Sequence, residues 1–171
     1  MSDPHSPLRL NVGFIIYQTI GYSRDIPFEI PRVQLQADLD LTDLVGVVRV
    51  TRTPQGLLVQ VKMHASASAE CVRCLTDFSH DLKVDFSELY AFNQRSVTDS
   101  NLILPEDGKI DLQPLLREYM LLEFPINPLC KPDCKGLCPI CGENLNQITC
   151  HHEEVIGDER LSGLQSLLDK Q

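Results

Sequence analysis

No stretch of this sequence is apolar for long enough to cross a bilayer. The longest runs, such as Val12 to Ile16, fall far short of the roughly 20 residues a spanning helix needs. The N-terminus, MSDPHSPLRL, lacks the basic start and apolar stretch of a secretory leader, so the expected home is the reducing cytoplasm, with no membrane partner. Positive charge is scarce: 15 Lys and Arg against 24 Asp and Glu leave a formal net charge of −9. Such a surface repels polyphosphate backbones, which excludes broad non-specific nucleic-acid binding and favours protein partners, or RNA contacted only through a local basic patch. There is no phosphate-cradling Gly-rich loop, no nucleophile elbow and no H-E-x-x-H. No catalytic constellation and no small-molecule substrate are therefore indicated, and the chain is expected not to be an enzyme. Internal repeats, beyond paired cysteine motifs, and low-complexity tracts are missing too.

What is present reads as a globular domain. With 171 residues, 43% of them hydrophobic and 23% charged, the chain can bury a real core. Its texture is mainly β. Asn11 to Tyr17 is either a short helix capped by Asn11 or an apolar strand, closed by Gly21. Ile26, Phe28 and Ile30 alternate with Pro27, Glu29 and Pro31, and the prolines confine this segment to an edge or a bulged strand. Val33, Leu35, Ala37 and Leu39 continue the alternation as a half-buried strand. Val45 to Thr53, the turn Pro54-Gln55-Gly56 and Leu57 to Ala65 predict a hairpin whose return strand faces Val59, Val61 and Met63 inward. A further strand over Phe78 to Leu89 places Leu82, Val84 and Phe86 on one face. Asn93 to Asn101 is polar and reads as a mobile loop. Asp111 then caps a helix running to Glu123, with Pro114 in its first turn and Phe124-Pro125 ending it. Its stripe of Leu112, Leu115, Leu116, Tyr119, Met120 and Leu122 is expected to pack on the sheet. Asp158 to Leu168 reads as a short terminal amphipathic helix. The expected class is α+β: a mostly antiparallel sheet, open or barrel-like, with a packed helix and a Cys-rich zinc-knuckle tail. Residues 8–126 form the core and 127–171 the tail of one continuous domain.

The chemistry concentrates in Leu129 to His152, LCKPDCKGLCPICGENLNQITCHH, with Cys130, Cys134, Cys138, Cys141 and Cys150 followed by His151 and His152. Cys71 and Cys74, in ECVRCL, stand upstream between two predicted strands, on a β-turn. Seven cysteines in a reducing compartment point to metal rather than to disulfides. Two C-x-x-C pairs, Cys71/Cys74 and Cys138/Cys141, have the spacing that turns two thiolates towards one cation. In Cys138-Pro-Ile-Cys141-Gly142 the proline stiffens the turn and the glycine permits a left-handed backbone. Zinc is the expected ion, in a structural role, with Arg73, Lys131 and Lys135 offsetting the charge of a tetrathiolate.

Two assignments fit the count. Cys71, Cys74, Cys130, Cys134, Cys138, Cys141, Cys150 and His152 make eight ligands and fill two closed tetrahedral sites. Alternatively one zinc, containing Cys138 and Cys141, uses C-terminal ligands while Cys71 and Cys74 remain a redox-inert turn pair. A thioredoxin-like role would need C-x-x-C at a helix N-terminus, which a β-turn does not supply. His64 and His80 read as ordinary strand residues and His151 as solvent-exposed. Glu153, Glu154, Asp158 and Glu159 read as charges at a helix start.

The residues also carry a resemblance. ECVRCL after a hairpin, a helix ending in Phe124-Pro-Ile-Asn-Pro-Leu-Cys130, the segment DCKGLCPICGENLN and the tail DERLSGL together resemble the bacterial YceD family, the large ribosomal RNA subunit accumulation proteins. Members often close the cluster with Cys-x-Cys, where this chain has Cys150-His-His152. The resemblance implies a role in accumulation of large-subunit (23S) ribosomal RNA, with a ribosomal protein or a pre-ribosomal RNA complex as partner and no enzyme activity. Some members lack the C-terminal cysteines, which implies that zinc, as one or two structural ions, is a scaffold device. The alternatives are a zinc-ribbon nucleic-acid-binding or transcription-associated module, and a thiol redox sensor.

Overall fold

The computed structural model describes residues 7–36 and 39–152. The expected terminal helix over Asp158 to Leu168 and the four acidic residues from Glu153 to Glu159 lie outside them. In order come β1 (Arg9–Asn11), α1 (Gly13–Ile16), β2 (Ser23–Leu35), β3 (Leu39–Arg52), β4 (Gly56–Glu70), β5 (Asp77–Ala91), a 3-10 turn (Gln94–Ser96), β6 (Lys109–Asp111) and α2 (Gln113–Glu123). Strands β2 to β5 form an open antiparallel meander in the order β2-β3-β4-β5, and β1 pairs with β6 in a separate two-stranded ribbon. The sheet is thus open rather than closed into a barrel.

The long meander follows from β-branched residues at alternate positions and from short turns between strands. Val59, Val61 and Met63 on β4 stand across from Val50, Val48 and Gly46 on β3, and β5 sets Phe86, Val84 and Leu82 against Val61, Met63 and Ala65. The side chains of this set lie on one face and are buried, while Lys62 and His64 point away. β2, with Pro27 and Pro31, is an edge strand, where the missing N–H groups leave no ladder bond unmade.

Two boundaries differ from the sequence expectation. The alternating run Val33, Leu35, Ala37, Leu39 is not one strand: β2 ends at Leu35 and β3 begins at Leu39, with Leu35 directly across from Leu39. Residues facing each other across an antiparallel pair share a face, so a tight turn preserves the alternation and hides itself in it. Gln36 leaves β2 at φ 59°, and Ala37 and Asp38 lie outside the described residues. Farther along β3, a bulge between Thr42 and Val45, with Asp43 at φ 51°, shifts the buried positions from Leu39 and Leu41 to Leu44, Val48 and Val50. The extra residue keeps one face apolar along a strand whose sequence changes phase.

The helices close the apolar face. Asn11 accepts the Gly13 N–H at 3.1 Å, but Val12 is the capping residue of α1. Asp111 likewise accepts the Gln113 N–H at 3.0 Å from one residue outside the cap, Leu112. Leu112, Leu116 and Met120 of α2 are buried, and Tyr119 stacks on Phe86 with ring centroids 3.9 Å apart. Leu122 does not join this stripe. Two residues past Met120, it is rotated about 200° around the helix and is 79% exposed. The polar segment over Asn93 to Asn101 contains the 3-10 turn, whose Asn93 side chain accepts the Arg95 N–H. Beyond Phe124 the chain returns to the β4–β5 turn.

Candidate metal centre

The β4–β5 connection, residues 71–76, is a tight turn closed by Leu75 N–H to Cys71 O at 2.8 Å and Cys71 N–H to Thr76 O at 3.0 Å. It aims the sulfurs of Cys71 and Cys74 to the same side. The segment after α2 docks on it, with Val72 N–H donating to Pro128 O at 3.0 Å. Cys130 and Cys134 thereby meet the turn: Cys71 and Cys134 sulfurs are 3.8 Å apart, and those of Cys74 and Cys130 3.6 Å. Phe78, Leu129 and Leu137 pack around this group, which is a small core separate from the main one.

The chain then runs past Arg73. Leu137 N–H donates to Arg73 O at 3.0 Å, and the Arg73 guanidinium donates to Cys134 O at 2.9 Å. Gly136 makes this crossing at φ +78°, where a Cβ would stand 3.1 Å from Arg73 O. The knuckle is closed by Cys138 N–H to Glu143 O and Gly142 N–H to Cys138 O, with Gly142 at φ +75° as its spacing demanded. Here the Cys141 and Cys150 sulfurs are 3.5 Å apart, and His152 Nε2 is 3.1 Å from the Cys141 sulfur.

All eight expected ligands therefore fall into two foursomes, Cys71/Cys74/Cys130/Cys134 and Cys138/Cys141/Cys150/His152, whose donor atoms lie within 4.8 Å of one another in each group. Each foursome can hold a metal ion. The separations suit that use: bonds of about 2.3 Å to a tetrahedral zinc set thiolates about 3.8 Å apart. All seven cysteines are free thiols.

The protonation of the thiols points the same way. Burial would push Cys71 up, but backbone N–H groups of Cys130, Cys74 and Arg73 outweigh it and hold the thiol down at about 6. Cys74 is lowered, chiefly by its hydrogen bond with the Thr76 hydroxyl. Burial, then the neighbouring thiols Cys74, Cys134 and Cys71, push Cys130 up to about 12. The second group repeats this division. Backbone N–H groups of Cys141 and Ile140 lower Cys138, whereas the hydrogen bond with Cys141, then burial, push Cys150 up to about 12. Four sulfurs this close cannot all ionise against one another, and a divalent cation at their centre removes that penalty.

Three supporting residues escape a search for ligands alone. Asn146 donates to the Cys134 sulfur at 3.3 Å and accepts the Lys135 N–H at 3.0 Å. Asn144 donates to Thr76 at 3.3 Å, and Thr76 contacts Cys74. The signal was the N-L-N that ends the cysteine motif, since side-chain amides beside thiols can supply N–H···S bonds. Of the cations expected nearby, Arg73 makes the contact described, while Lys131 and Lys135 are exposed. His64 lies on the outer face of the sheet, His80 sits edge-on between Phe78 and Phe124, and His151 is exposed.

Comparison with known proteins adds context. The family model for large ribosomal RNA subunit accumulation protein YceD matches residues 59–168, from within β4 through both foursomes. An uncharacterised protein of Mycobacterium tuberculosis is 33% identical over 160 residues, covering 91% of this chain and 74% of the relative. Uncharacterised protein YlbN of Bacillus subtilis is 30% identical over 100 residues, covering 57% of this chain and 58% of the relative. The Zea mays protein named large ribosomal RNA subunit accumulation protein YCED homolog 1, chloroplastic, is 39% identical over 70 residues, covering 39% of this chain and 24% of the relative. No solved structure matches.

Proposed function

This chain belongs to the YceD family of large ribosomal RNA subunit accumulation proteins, and from that premise we propose that it promotes accumulation of 23S ribosomal RNA without being an enzyme. In this reading it is an adaptor that binds a ribosomal protein or a pre-ribosomal RNA complex in the cytoplasm. Structural zinc holds its tail against the sheet. The observation that carries the adaptor reading is the closure of the metal sites. One foursome offers four thiolates and the other three thiolates with an imidazole, so each fills a tetrahedral zinc and leaves no position for a substrate or a reactive water. Burial of Cys71, Cys74 and Cys134, with the C-x-x-C on a strand turn, also speaks against an accessible redox pair.

The test is a strain lacking the gene, supplied with wild-type or empty vector and scored for the ratio of large- to small-subunit ribosomal RNA. The ratio falls on deletion and returns with the wild-type chain. A ratio that deletion leaves unchanged rules the proposal out.

A further inference from the structure

For a protein of net charge −9, three long tracts of the sequence carry no carboxylate. No Asp or Glu occurs in residues 4–24, 44–69 or 89–98. These tracts meet in space. Gly21 N–H donates to Arg52 O and Arg52 N–H to Tyr22 O, both at 2.8 Å, joining the start of β2 to the end of β3. Arg52 Nε donates to Ile16 O at 3.0 Å, and its guanidinium lies 4.3 Å over the ring of Phe92, just past β5. Phe92 N–H in turn donates to Gln55 O in the β3–β4 turn.

The same end exposes aromatic surface. Tyr17 is 90% exposed, and Phe14 and Tyr22 are more than a third exposed, within one short stretch around α1. The Arg24 guanidinium sits 4.9 Å over Phe14. Among the described residues neither Arg24 nor Arg52 has a carboxylate partner, whereas Arg49, Arg9 and Lys62 are bound to Asp25, Asp107 and Asp85. Two carboxylates beside this end are occupied: Asp25 by Arg49, and Asp107, in the loop that meets Gly13, by Arg9.

We propose that this end is a docking surface for unpaired nucleotides of an RNA strand. Tyrosine faces at the surface accept stacked bases, and the exposed Arg24 neutralises a phosphate, while Arg52, held by the Ile16 and Thr53 carbonyls, ties the segments of this end together. A duplex keeps its bases stacked on one another and offers these rings nothing, so single strands are preferred. The acidic remainder repels the backbone and confines contact to this end. The inference rests on the family's ribosomal role and names the surface that serves it.

The test is fluorescence anisotropy of a labelled mixed-sequence single-stranded RNA, and of its duplex, across a salt series. The wild type is expected to bind the single strand in preference to the duplex at low salt. The exposed double substitution Tyr17→Ala/Tyr22→Ala is expected to weaken binding about tenfold or more. Arg24→Gln is expected to lower the slope of log affinity against log salt by about 0.7, one phosphate's worth on a single strand. Circular dichroism and metal content equal to wild type establish that the variants fold. No single-strand binding at low salt, equal binding by the tyrosine variant, or capture of an acidic ribosomal protein by this surface in place of RNA overturns the proposal. Its failure is distinguishable from failure of the ribosomal role. A wild-type chain that restores 23S ribosomal RNA in the deletion strain while binding no RNA keeps the role and removes this surface.

Discussion

Asn146 answers two needs with one amide: its oxygen takes the Lys135 N–H and its nitrogen reaches the Cys134 sulfur. Without it, Cys134 keeps its place in the chain but loses the hydrogen bond that orients its sulfur. Asn146→Ala is therefore expected to lower metal affinity about 10- to 100-fold at unchanged stoichiometry, as partners of ligating side chains typically do. Competition with a chromophoric chelator measures this, and unaltered affinity would show the contact to be incidental. The eight candidate ligands were legible from residue identity and spacing: two C-x-x-C pairs mark four of them, and the crowding of Cys130, Cys134, Cys150 and His152 around the second pair marks the rest. The division into foursomes was not legible. It depends on which chain segments fold together, and Cys74 and Cys130 are 56 residues apart.

Among the elements, the strands were the most readable, because one-sided burial writes a period of two into the sequence. The reversal between Leu35 and Leu39 was not, since it preserves that period, and neither was the bulge at Asp43, which shifts the period by one residue inside a single strand. Leu122 was misplaced because a wide apolar stripe can exceed the width of the face a sheet covers. The seating of α2 on β5 depends instead on Tyr119, which stacks on Phe86 and donates to Glu88 at 2.7 Å. That hydrogen bond, and secondarily burial, push the phenol up to about 12, against about 10 for an unfolded tyrosine. A raised folded value means that the contribution is fully present below about pH 10 and is lost as pH climbs through about 12. Tyr119→Phe keeps the ring stack and removes the bond. We expect a loss of about 1 kcal/mol in urea denaturation at neutral pH. The gap to wild type should narrow across the alkaline window, and a gap independent of pH would show that the hydroxyl does not act through Glu88.

At the scale of the whole molecule a metal ion in each foursome would do different work, although the two donor sets are nearly alike. The first exists only when the β4–β5 turn and the segment after α2 are both in place, so a metal bound there is linked to folding of the sheet. The second draws every ligand from residues 138–152 and closes on itself. A ligand that binds only the folded state stabilises it by about 4 kcal/mol when free metal exceeds the dissociation constant a thousandfold. That stabilisation reaches the sheet from the first site and stops at the tail for the second. Elemental analysis should then find two zinc ions per wild-type chain and one in either Cys74→Ser or Cys141→Ser. The melting of the sheet, followed by circular dichroism, should fall sharply in Cys74→Ser and stay near wild type in Cys141→Ser. Equal losses in the two variants would mean that the knuckle, too, is coupled to the sheet, through the Leu137–Arg73 and Asn144–Thr76 contacts that lie between the sites. The predicted inequality distinguishes a clasp that ties tail to sheet from a fold that is metal-dependent throughout.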